Sequence, residues 1–239
     1  MKIIVPMAGK GQRFIDKGVK KPKALISVHG KLMVLQTLDS LNIYCFTIFV
    51  TTPQIWLSYD LEFLLLSDRQ GFVEITDDKR GQACTVLALE SVIDNDEDIL
   101  IVNCDNYFIY DKLDFLTTIK REDIDGLTFT FNDPLNRTHW SFAKVDEHGF
   151  IIDIKEKDPI SKHALCGAFY WKKGSDFVRY AKQMVENDIR YRGEFYLGPA
   201  FNEAVRDGKK ILNYHIEDML SMGTPAELEK FKPPKDVTI

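Results

Sequence analysis

No apolar run in the sequence approaches the roughly 18 residues needed to span a bilayer as a helix; stretches such as Phe63–Leu66 stop at four. Cysteine is sparse. Cys45, Cys84, Cys104 and Cys166 stand far apart with no CxxC pair and no secretory leader, so neither a disulfide framework nor a zinc knuckle is indicated. A reduced, cytoplasmic setting is expected. There is also no excess of basic charge: the net charge of -5 gives no general reason to bind nucleic acid or anionic lipid, so clusters of Lys and Arg must act locally. The five histidines, His29, His139, His148, His163 and His215, lack metal-ligand spacing and a Ser or Cys partner. Internal repeats, low-complexity tracts and Pro/Gly/Ser linkers are absent as well.

What the 239 residues do contain is a large apolar fraction, 45%, and 28% charged residues, enough to bury the core of a sizeable α/β domain. Short β-type runs alternate with segments of helical period, the pattern of a mainly parallel sheet flanked by helices. Strands are expected at Ile3–Met7, Phe46–Thr51, Ile99–Asn103, Leu127–Phe131, Phe142–Val145, Phe150–Ile154, Cys166–Trp171 and Lys210–His215. Apolar spacings of three and four predict core helices over Thr85–Val92 and Asp176–Val185. Glu147-His148-Gly149 reads as a hairpin turn, which brings a small antiparallel portion into the second half. One domain over 1–230 is expected, followed by a tail at 231–239 containing Pro233-Pro234.

The first strand is left through Ala8-Gly9-Lys10-Gly11-Gln12-Arg13, and three lysines, Lys20, Lys21 and Lys23, crowd around Pro22. A small-residue loop at the carboxyl end of such a strand lets backbone N–H groups approach a phosphate. Two phosphate motifs are excluded, because Phe14 stands where the dinucleotide fingerprint needs its third glycine and no Gly-Lys-Ser/Thr follows. A glycine turn with solvated lysines explains the glycine pair alone. Arg13 on the loop and Lys23 fixed behind a proline tip the balance toward a polyphosphate.

Met7-Ala8-Gly9-Lys10-Gly11-Gln12-Arg13-Phe14 followed by Pro22-Lys23 resembles the signature of the nucleotidylyltransferases that join a nucleoside triphosphate to a sugar phosphate or a similar phosphorylated molecule. Further elements follow in the family's order: Arg80-Gly81-Gln82-Ala83, Asn103-Cys104-Asp105-Asn106, Glu156-Lys157, Cys166-Gly167-Ala168-Phe169-Tyr170, Gly193-Glu194-Phe195-Tyr196 and Gly223-Thr224-Pro225-Ala226-Glu227-Leu228. The resemblance runs from Lys2 to about Leu228 and implies a Rossmann-like nucleotidyltransferase fold of the GT-A type. It implies a reaction in which an acceptor phosphate attacks the α-phosphorus of an NTP and pyrophosphate leaves, assisted by Mg2+.

By the same resemblance, Arg13 holds the pyrophosphate, Lys23 the α-phosphate and Asp105 the metal. Met7, Ala8, Gly9, Gly11 and Gln82 receive the nucleotide, and Glu156, Lys157, Gly167, Tyr170 and Glu194 the acceptor. Trp140-Ser141-Phe142 reads either as a wall of the acceptor pocket or as core. The Pro-Met-Ala-Gly loop, Trp-Ser-Phe and Gly-Glu-Phe-Tyr resemble a bacterial surface-polysaccharide subgroup near the cytidylyltransferases, which favours CTP over UTP or dTTP. The partners implied are an NTP and a phosphorylated small molecule, with no nucleic acid or membrane; nothing excludes a homo-oligomer. One departure is Ser221, two residues before Gly223, where the family usually has a second metal carboxylate. Asp218 and Glu217 lie close by, but the expectation is that Asp105 and the phosphates hold the ion alone. Two other classes remain: a glycosyltransferase of similar architecture, which has no pyrophosphate to expel, and a non-catalytic nucleotide-binding module.

Overall fold

A computed structural model describes residues 1–133 and 137–234. In chain order the strands begin with β1 (Lys2–Pro6), β2 (Ser27–Val28), β3 (Lys31–Leu32), β4 (Phe46–Thr51) and β5 (Gly71–Ile75). Next come β6 (Ile99–Val102), β7 (Asn106–Ile109), β8 (Gly126–Asn132) and β9 (Ser141–Val145). The last are β10 (Ile151–Glu156), β11 (His163–Trp171), β12 (Ile211–His215) and β13 (Asp218–Ser221). The main sheet runs β10-β9-β11-β6-β1-β4-β5, with β8 pairing both β11 and β12. Its centre, β6-β1-β4-β5, is parallel. The pairings among β9, β10, β11 and β8 are antiparallel, so the mixed, mainly parallel sheet with an antiparallel portion in the second half is borne out.

Period-two alternation explains why the central strands are buried on both sides. Ile3 and Val5 face one hydrophobic cluster while Ile4 faces another, and Leu100 and Val102 are divided from Ile99 and Ile101 in the same way. Helices cover both faces. Helix Met33–Leu41 packs Val34, Leu38 and Leu41 into the first cluster, and helix Gly174–Glu186 packs Phe177, Ala181 and Met184 into the second.

Several expectations shift. The helix predicted over Thr85–Val92 is two short helices, Gln82–Leu87 and Glu90–Ile93, separated at Leu89 (φ -90°, ψ 10°); Val86, Leu89 and Ile93 still enter one core together, as the period predicts. Strands β2, β3, β5, β7 and β13 are additional. β7 and β13 form their own antiparallel pair, with Ser221 opposite Asn106. Phe231, at the start of the expected tail, is 4% exposed and packs 5.7 Å from the Tyr107 ring, so the packed chain includes it. Residues 235–239 of that tail lie outside the described residues. No helix among the described residues is long and apolar enough to cross a membrane.

The chain passes from β1 to β4 on one side and returns through β6 on the other. Strand order therefore reverses beside β1, and the loops after β1 and β6 open at one crevice, where doubly wound sheets place ligands.

Candidate active site

Two cavities meet at that crevice. The larger, about 660 Å³, is bordered by the loop Pro6–Gln12, by Lys20 to Lys23 and by Gln82. The smaller, about 180 Å³, lies beneath Glu156, Lys157 and Gly167. Gln82, Asn103, Asp105 and Tyr196 line both, so the two spaces share one wall.

The β1 loop starts from a buried anchor: Met7 is in the core and its N–H donates to the Val50 carbonyl at 2.8 Å. A β-carbon on Gly9 would meet nothing within 4 Å, so the loop backbone there is open to a ligand. Gly11 takes φ +63° and its Cα packs against Lys23, where a β-carbon would stand 3.1 Å from Lys23 Cβ. Pro22 precedes a single 3-10 turn, Lys23–Leu25, whose Ala24 and Leu25 are buried. That turn answers why a lysine follows the proline. Its backbone is locked into the core and its side chain is held over the crevice.

Lys23 Nζ donates to Asp105 Oδ2 at 2.8 Å. Burial works against the Lys23 charge, but the Asp105 carboxylate more than offsets it and the ammonium stays above its ordinary range. Asp105 lies between β6 and β7, and its carbonyl accepts the Met222 N–H at 2.8 Å. Gly223 comes so close that a β-carbon would sit 2.7 Å from Asp105 Oδ2. The donor set suits Mg2+, which takes hard oxygen ligands and is usually held by one or two carboxylates plus substrate phosphates. Among the described residues no three His, Cys, Asp or Glu side chains cluster as a self-sufficient metal site. Asp218 stands opposite Ile109 at the far end of β13, so it does not replace the missing second carboxylate. Ser221 instead donates to Glu227 Oε2 at 3.0 Å, and Thr224 donates to the same oxygen at 2.8 Å.

Glu156 ends β10 and accepts a short hydrogen bond from the Ser141 hydroxyl. Burial pushes its carboxyl pKa up, against the pull of Ser141 and Lys157. Lys157 has a left-handed backbone (φ +55°), and its Nζ donates to the Tyr196 hydroxyl at 3.0 Å. Burial lowers the Lys157 pKa, with Glu156 opposing and Arg13 assisting. Gly167 marks the irregularity in β11. It has φ +79°, and a β-carbon there would fall 2.4 Å from Asn103 Nδ2. Glycine leaves the room that a side chain would fill.

Arg13 sits on the exposed turn Gln12–Ile15 and borders the smaller cavity. Met7, Ala8, Gly9, Gly11, Lys23 and Gln82 all border the larger one. Two acceptor expectations are corrected. Tyr170 is 2% exposed, with its ring beside Phe115 and its hydroxyl donating to Asp98 at 3.2 Å; strand alternation turns it away and presents Phe169 to the smaller cavity instead. Glu194 borders the larger cavity, because the turn Tyr191–Glu194 projects toward the β1 loop. Trp140 and Ser141 do line the smaller cavity, where Trp140 Nε1 and the neighbouring His139 Nε2 are buried without a hydrogen-bond partner among the described residues. Asn106, Tyr196 and Glu227 were not anticipated there. Glu227 lies inside the closing Gly223–Leu228 motif, and its capping-box spacing from Thr224 was a second signal for its place.

Residues 2–231 match the family model of the nucleotidyl transferases. A UTP–glucose-1-phosphate uridylyltransferase, AglF of Haloferax volcanii, is 25% identical over 241 residues, which is 96% of this chain and 94% of that protein. The nucleoside-diphosphate-sugar pyrophosphorylase of Vibrio cholerae superposes with a TM-score of 0.77 at 24% identity, covering 95% of this chain and 98% of its own. The inositol-1-phosphate CTP transferase of T. maritima does so with a TM-score of 0.76 at 16% identity, covering 95% and 90%. Both structures have the same fold.

Proposed function

The chain belongs to the nucleotidyl transferase family, and from that premise we propose that it transfers a nucleoside monophosphate from an NTP to a small phosphorylated acceptor and releases pyrophosphate. The observation that carries this reading is the Lys23–Asp105 ion pair, set where the two cavities meet. Both reactants are anions, so a fixed cation and a hard carboxylate belong at their junction.

The larger cavity takes the triphosphate, with the backbone from Met7 to Gly11 around the phosphates and the Gln82 amide against the base. CTP is the first nucleotide to test, on the motif resemblance, with UTP and dTTP as the alternatives the same amide can pair. The smaller cavity takes the acceptor, and about 180 Å³ confines it to a compact molecule such as a sugar 1-phosphate. Lys157 meets its phosphate, while Glu156 accepts from its hydroxyl groups. Arg13, at the mouth, offers a planar, permanently charged fork for phosphate oxygens. Lys23 moves from Asp105 to the α-phosphate as negative charge develops there. Mg2+, when bound by Asp105 and the triphosphate, supplies charge neutralisation. The product is an activated precursor for a surface polysaccharide.

A coupled pyrophosphate-release assay over four NTPs and a panel of phosphorylated metabolites tests the proposal. Release that requires both substrates supports it. Transfer from a finished nucleotide sugar without pyrophosphate, or binding without turnover, rejects it.

A further inference from the structure

Lys157 is held in an unusual way for a half-buried cation. Among the described residues it has no carboxylate within ion-pair distance; its ammonium instead donates to the Tyr196 hydroxyl at 3.0 Å, 4.3 Å from the Tyr196 ring centroid and 5.3 Å from that of Tyr191. A carboxylate would cancel most of the field of the ammonium. A phenol and two ring faces fix its position without a direct ion pair, and the Glu156 and Glu194 carboxylates act on it only from further off.

Tyr196 is itself placed by the nucleotide side of the crevice. The preceding residue, Phe195, donates its N–H to the Arg80 carbonyl at 2.8 Å and accepts the Ala83 N–H at 3.1 Å. Between these two bonds lies Gly81 (φ +136°), where a β-carbon would stand 2.5 Å from the Phe195 backbone. The segment that carries Gln82 and the segment that carries Tyr196 are therefore fastened together, and Tyr196 lines both cavities.

We propose that Tyr196 is a positioning residue: it holds the Lys157 ammonium, free of any direct ion pair, at the wall between the cavities, so that a phosphate entering the smaller one meets a fixed cation registered to the nucleotide segment. The assignment deepens the transfer reading above and rests on it for its role in turnover. It needs no known acceptor to be tested, because every candidate acceptor shares the phosphate.

The test uses the full chain labelled with 13C-lysine, inorganic phosphate as the probe, and the Lys157 signal identified by its loss in Lys157→Arg. In the native protein phosphate shifts that signal. In Tyr196→Phe, which keeps the ring and loses the hydroxyl, the phosphate concentration at half-shift rises about 3- to 10-fold, the size of one lost hydrogen bond. In Tyr196→Leu it rises about 10-fold or more, since the ring face is lost as well. The melting temperature of Tyr196→Phe stays at the native value. If Lys157 responds to phosphate equally in all three proteins, or fails to respond in the native one, the proposal is overturned. Pyrophosphate release judges the transfer reading separately: turnover alongside an unchanged Lys157 response sinks only the role of Tyr196, and no turnover alongside a weakened response sinks only the reading.

Discussion

Lys23 and Lys157 each stand over a cavity, yet one is paired with a carboxylate at 2.8 Å and the other with a phenol at 3.0 Å. The difference shows in their titration. Asp105 holds Lys23 above the ordinary lysine range, whereas burial takes Lys157 below it. A cation with a carboxylate partner is stable at rest, and its charge becomes available only when Asp105 is engaged elsewhere. A cation whose direct partners are neutral is costlier to bury but has no ion pair to break before an anion arrives. On the proposed reading, the nucleotide side holds its lysine in an ion pair until loaded, and the acceptor side presents a lysine without one.

The sharpest way to break this contrast is to remove the carboxylate. Asp105→Ala is expected to lower kcat about 10²- to 10³-fold, the range for deleting one preorganised electrostatic group, and full turnover under saturating Mg2+ would reject its assignment. The same variant leaves a part-buried Lys23 unpaired, and its melting temperature should fall by more than that of the double variant Lys23→Met/Asp105→Asn. Arg13→Lys keeps the charge but loses the fork. It should cost about tenfold in kcat/KM, measured by pyrophosphate release, and a neutral result would mean that Arg13 acts only as a point charge.

On the acceptor side, Gly167→Ala combines φ +79° with a 2.4 Å approach to Asn103 Nδ2. A loss of about 1–3 kcal/mol in stability by chemical denaturation is expected, with the acceptor KM raised and the nucleotide KM little changed. Glu156 gives a pH test. Because burial raises its pKa, the folded protein keeps the proton to higher pH than the unfolded chain does. That stabilisation is complete below the ordinary glutamate range and is lost as pH rises through the raised value. Glu156→Gln cannot ionise, so its melting temperature relative to native should climb from acid toward neutral pH; a flat difference would mean that Glu156 ionises as an ordinary carboxyl. The smallest effect is expected from Ser141→Ala, which removes one hydrogen bond to Glu156 and should raise the acceptor KM about three- to tenfold.

How legible each side was in the sequence follows from how it is built. Met7 to Lys23 is a continuous segment, so its glycines, arginine and proline-braced lysine could be read in a row. The smaller cavity gathers Ser141, Glu156, Gly167, Tyr196 and Glu227 from segments spread over 87 positions, from 141 to 227, and a motif alone did not say that Tyr196 and Glu227 would meet the others there. The Tyr170 error came from reading a motif without its strand phase, since a neighbour on the same strand points to the opposite face. The helix over Thr85–Val92 was right in its buried face and missed the break at Leu89, which apolar spacing does not register.

By itself the sequence determined the alternating α/β order, the buried parallel centre and the chemical types at the crevice, because periodicity and local backbone preferences act over a few residues. The tertiary structure alone decided which carboxylate pairs with Lys23, which tyrosines Lys157 contacts, and that Ser221 donates to Glu227. Those outcomes depend on distances between segments far apart in the chain, and electrostatic and hydrogen-bond energies are set by such distances rather than by residue type.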